Sequence, residues 1–120
     1  MTLEAIEKIC KSFPDVTEDI KWENHLCFNV GGKMFLITSP DLLPVTASFK
    51  TSEKKFIELT EREGFRPAPF LAKHKWVYVD DISRLNSREW EELLQQAYEL
   101  VKEKLPKGKK AAKRKTKDNF

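Results

Sequence analysis

The chain has 120 residues, 40% of them hydrophobic, 11% aromatic and 34% charged, which suits one compact domain and is too short for two. Its apolar runs reach only about five or six residues against the roughly 20 that cross a bilayer as a helix, which argues against a membrane span. The formal charge of +3 is segregated: residues 107–120 hold seven basic side chains and one acidic, leaving 15 basic and 18 acidic for residues 1–106. A mildly acidic body is thus joined to a cationic end.

Thr2 is placed as an N-cap, with Leu3, Ile6, Cys10 and Phe13 on one helical stripe and Glu4 and Glu7 in the early turns, where the helix dipole favours acids. Phe13-Pro14 ends this helix, because the residue before a proline is pushed out of the α region. Asp15 to Asp19 reads as a polar turn, and Ile20-Lys21-Trp22-Glu23 as a short half-buried strand. The strongest local signal follows. Two β-prone runs, 26–30 and 33–37, flank Gly31-Gly32, and a two-residue hairpin turn needs the positive φ that glycine supplies without steric cost. Alternation assigns Lys33, Phe35 and Ile37 to one face of the return strand and Met34 and Leu36 to the other; apolar residues on both faces predict a central strand.

Val45 to Lys50 reads as a further strand with Val45, Ala47 and Phe49 inward. Thr51 or Ser52 caps a second helix that turns Phe56, Leu59 and Thr60 inward, with Gly64 as its left-handed C′ residue and Phe65 closing the contact. The segment 66–73 carries two prolines and is predicted to run as an ordered loop across one face of the domain. Lys75 to Val79 is a strand by composition. The third helix has the best start signal, with Asn86 as N-cap, Glu89 three residues on and Leu85 facing Trp90; Trp90, Leu93, Leu94, Ala97, Val101 and Leu105 form its core stripe, and Pro106 stops it. The sum is a single two-layer α+β domain over residues 1–106, an antiparallel sheet with helices on one face. The composition of residues 107–120 predicts no fold of their own, a disordered basic tail.

Three stretches resemble the MmcQ/YjbR family of small bacterial proteins: Gly31-Gly32-Lys33-Met34-Phe35, the segment from Pro67 through Phe70, Lys73, His74 and Trp76 to Val77, and Gln96-Ala97-Tyr98-Glu99-Leu100-Val101 ahead of Leu105-Pro106. The resemblance covers residues 1 to about 106. It implies a frataxin-type (CyaY-like) α+β fold and a DNA-binding role, and the basic tail stands outside the family pattern.

Seven cations, Lys107, Lys109, Lys110, Lys113, Arg114, Lys115 and Lys117, make the tail the first candidate for phosphate contact, since a flexible polycation binds DNA by releasing counterions without reading sequence. Lys73 and Lys75, joined by Lys33 at the hairpin tip and by Lys50, Lys54 and Lys55, form a second candidate, against which stands the plainer role of lysines guarding a sheet edge. The alternative to DNA is a pocket for a small molecule or protein partner under the 67–73 loop, where Phe70, His74, Trp76 and Trp22 converge. No nucleophile elbow or oriented histidine argues for an enzyme. Asp80-Asp81 and the Asp15, Glu18, Asp19, Glu23 group match no calcium loop, and Cys10 and Cys27 lack ligand spacing, so no metal or cofactor is expected. The expectation is a non-enzymatic, cytoplasmic, DNA-associated monomer.

Overall fold

Both residues of the Gly31-Gly32 turn have positive φ, 59° and 80°, as a primed two-residue turn requires. They join β2 (His25–Val30) to β3 (Lys33–Ser39). The computed structural model describes residues 1–105, so the predicted stop at Pro106 and the basic tail lie outside the described residues. Around the hairpin, β1 (Val16–Lys21), β4 (Thr46–Lys50), β5 (Phe65–Pro67) and β6 (Trp76–Val79) complete a six-stranded antiparallel sheet in the order β1-β2-β3-β4-β6-β5. Helices α1 (Leu3–Lys11), α2 (Glu53–Thr60) and α3 (Ser87–Glu103) cover one face. The domain is therefore the α+β, two-layer class that the sequence implies, with β3 well inside the sheet.

Helix α3 binds the layers together. Asn86 and Glu89 form the full capping box, and the predicted stripe from Trp90 to Leu105 is buried. Trp90 packs edge-on against Phe49 at 5.4 Å and donates from Nε1 to Ile82 O at 2.8 Å, so its one polar atom is satisfied inside the core. Tyr98, absent from the predicted stripe, stacks on Phe13 and donates its hydroxyl to Pro14 O at 2.7 Å, fixing the exit of α1. Each fully buried large side chain contributes roughly 1.5–3 kcal/mol by withdrawing apolar surface from water.

Four expectations are corrected. Strand β1 begins at Val16, where a turn was expected, and Trp22 and Glu23 form the following turn with φ of 50° and 74°. As an edge strand it tolerates acids on both sides: Glu18 pairs with Lys11 of α1 on the helix face, and Asp19 takes Lys21 and Asn29 on the other. In β3 the alternation breaks, since the register with β2 slips between Phe28 and Asn29, and Phe35 and Leu36 both enter the core. Gly64 is left-handed, φ 89°, but α2 ends at Thr60 with Glu61 as its C-cap, so Gly64 turns the chain into β5 and is not a C′ residue. The proline-rich segment opens as edge strand β5, where Pro67 lies at the sheet margin, and closes as a short 3-10 helix, Ala72–His74.

Candidate functional site

The face of the sheet away from the helices carries one cleft, and a second adjoins it at the hairpin end, where the C-terminal end of α3 also borders it. Register puts Asp19, Cys27 and Asn29 on this face, because Phe28 and Val30 between them enter the helix-side core. The turn after β1 brings Trp22 to one end, where its ring meets His25 edge-on at 5.9 Å. From the other side, residues 68–71 leave β5 and fold back over the sheet, pinned by Ala68 N donating to Trp76 O at 3.0 Å. Between them lies an apolar cleft of about 500 Å³ lined by Trp22, His25, Met34, Ile37, Phe70 and Tyr78 among others. Phe70 is 99% exposed and Trp22 62%, an unusual surrender of aromatic surface to water.

Met34 and Leu71 also line the second cleft, about 480 Å³, at the hairpin end of the sheet. Lys21, Lys33, Lys50, His74 and Lys104 surround it, and among the described residues no carboxylate lines it. Lys21 reaches along the outer face and is partnered by Asp19 at 2.7 Å. Lys50 donates to His74 O at 2.6 Å. Partial burial, and next the charge of Lys104, hold the Lys50 ammonium below its ordinary pKa, so a neighbouring like charge adds to the cost of its proton. Leu105, the last described residue, packs against Gly31 at this same end.

Several residues proposed from sequence come together and others do not. Lys33 and His74 line the lysine cleft, and Lys73 is exposed beside it. Lys75 turns away, its ammonium 5.2 Å from the Phe56 ring centroid on the helix side. The expected convergence of Phe70, Trp76 and Trp22 is divided: Trp22 and Phe70 border the apolar cleft, whereas Trp76 is nearly buried and lines the lysine cleft with His74. Lys107, Lys109, Lys110, Lys113, Arg114, Lys115 and Lys117 lie outside the described residues. Lys21, Lys104, His25 and Tyr78 were not foreseen, because only the pairing of distant strands and the end of α3 bring them here. A weak signal existed for Tyr78 alone, which alternates with Val77 and Val79 on a predicted strand.

Two buried polar atoms of this face, His25 Nδ1 and Asn29 Oδ1, have no hydrogen-bond partner among the described residues. Burial raises the Cys27 thiol to about 11 and pushes Cys10 up further, so neither is poised as a nucleophile at neutral pH. Among the described residues no group of three or more His, Cys, Asp or Glu side chains is gathered to hold a metal ion, and no helix is long and apolar enough to cross a membrane.

A six-stranded antiparallel sheet backed by three helices, with a lysine-lined cleft beside an apolar one, defines the class of protein. A family model, YjbR, matches residues 11–100, and the chain belongs to the YjbR family. The fold is similar to the crystal structure of a Deinococcus radiodurans protein with a DUF419 domain (TM-score 0.83, 24% identity, 93% of this chain and 87% of that one). It is similar also to a protein from Pseudomonas syringae (TM-score 0.67, 16% identity, 83% of this chain and 98% of that one). At such identities these likenesses speak to fold. None of the curated proteins compared matches the chain.

Proposed function

We propose that this domain is a non-enzymatic protein that associates with DNA by charge, through the lysine cleft at its hairpin end and with little reading of base sequence. The observation that carries this is the cleft's lining, among the described residues, of four lysines and a histidine without a carboxylate, on a body whose residues 1–106 are acidic overall. Such a focus of one sign in a net-negative globule attracts phosphate locally. A phosphate placed there also relieves the repulsion between Lys50 and Lys104. The seven basic residues from Lys107 to Lys117 follow Leu105 in the sequence, and Leu105 packs beside this cleft, which favours body and basic segment acting on one polyanion.

The test is a salt titration of DNA binding by the full chain and by the variant Lys33→Gln, Lys50→Gln, Lys104→Gln. Every phosphate left without its cation takes about 0.9 off the log-log salt slope for duplex DNA, so the slope is expected to be shallower in the variant by on the order of two to three units. Replacing the seven cations between Lys107 and Lys117 with Gln is expected to lower it further. An unchanged slope and affinity in the cleft variant overturns the role of the cleft.

A further inference from the structure

Resting on that reading, we infer that the nucleic acid taken is single-stranded, with an unstacked base seated in the apolar cleft beside Trp22 and Phe70 and its neighbouring phosphates on the lysine cleft. A duplex needs only the cations, because its base faces are hidden. The apolar cleft is then unexplained, together with the two aromatic side chains left in water at its rim. Both Trp22 and Phe70 sit on backbone with positive φ, 50° and 66°, a strained region for residues with a β-carbon. Successive phosphates on a cationic groove and bases on aromatic side chains are the two ingredients by which proteins hold single strands. Here they lie side by side, the two clefts sharing Met34 and Leu71.

Polar groups suited to a base edge are present as well. His25 lines the apolar cleft, and its buried Nδ1 has no hydrogen-bond partner among the described residues. Tyr78 and Ser48 line the same cleft. A free apolar ligand would not use the adjoining lysines, so charge complementarity favours an occupant that is aromatic at one end and anionic at the other.

Tryptophan emission supplies a direct reporter, since Trp22 is exposed while Trp76 and Trp90 are buried. The full chain is titrated at one salt concentration with oligothymidylate, with a duplex of equal length and with an abasic strand of equal length. The expected result is quenching by oligothymidylate alone, with binding on the order of tenfold tighter than to the other two. In the double variant Trp22→Ala, Phe70→Ala, oligothymidylate affinity falls to the abasic level while duplex affinity holds. Should that variant melt early, the abasic comparison on the unsubstituted chain decides alone. Equal affinity for all three polyanions without quenching overturns the single-strand inference and leaves the electrostatic reading standing. Failure to bind any of them overturns both.

Discussion

On the helix face of the sheet, Ile6, Phe28, Phe49, Trp90 and Leu94 are wholly removed from water, and the indole of Trp90 and the hydroxyl of Tyr98 both find backbone acceptors. On the opposite face Trp22 and Phe70 are exposed, His25 Nδ1 and Asn29 Oδ1 go unpartnered among the described residues, and Lys50 shares a cleft with other cations. One face is organised for stability. The other forgoes aromatic burial and charge balance, departures from good packing that a binding surface retains, whereas unpartnered buried atoms occur in both layers, Gln96 Oε1 of α3 among them.

The contrast predicts a graded response to substitution. Trp90→Ala removes the largest fully buried side chain and is expected to destabilise the domain by about 3–5 kcal/mol, read from the shift of a urea unfolding curve. Gly31→Ala comes next: a β-carbon there would stand 2.5 Å from Leu105 Cδ1 on backbone with φ +59°, and the left-handed conformation alone costs about 1–2 kcal/mol. Asn86→Ala breaks the capping box of α3 at about 1 kcal/mol by the same measurement. Phe70→Ala, on the other face, is expected to shift stability by no more than about 0.5 kcal/mol. A large destabilisation by Phe70→Ala would erase the distinction between the faces.

The smallest effect concerns charge. Lys50 holds its proton less firmly in the folded protein than in the unfolded chain, so between its lowered pKa and the ordinary 10.5 the unfolded chain binds more protons and stability rises with pH. Lys104→Gln is expected to flatten that rise and to add slightly to stability at neutral pH and low salt. Thermal melts over a pH and salt series check both, and an unaltered pH profile would remove Lys104 from the electrostatics of the cleft.

How legible all this is in the sequence depends on the range of the signal. The hairpin at Gly31-Gly32 and the Asn86–Glu89 capping box are written within a few neighbouring residues, and both stand where expected. The slip that sends Phe35 and Leu36 to the same side is set by partner strands and leaves no mark in the alternation itself. Strand β1 is masked by acids whose partners, Lys11 and Asn29, belong to other elements. The clefts follow the same rule. Lys33 and Phe70 stand out locally, by a turn and by a proline-rich segment, while Lys21 and Lys104 are brought together only by the finished sheet and the last turn of α3.

Titration of uniformly labelled full chain with DNA, followed residue by residue through backbone amide chemical shifts, tests the central claim most directly. Within residues 1–105 the account predicts salt-sensitive shifts centred on the hairpin end, at Gly32, Lys33, Lys50, His74 and Lys104, with extension to Trp22, His25 and Phe70 for single strands. Shifts centred on the outer surfaces of α1 and α2, with the lysine cleft silent, would contradict it.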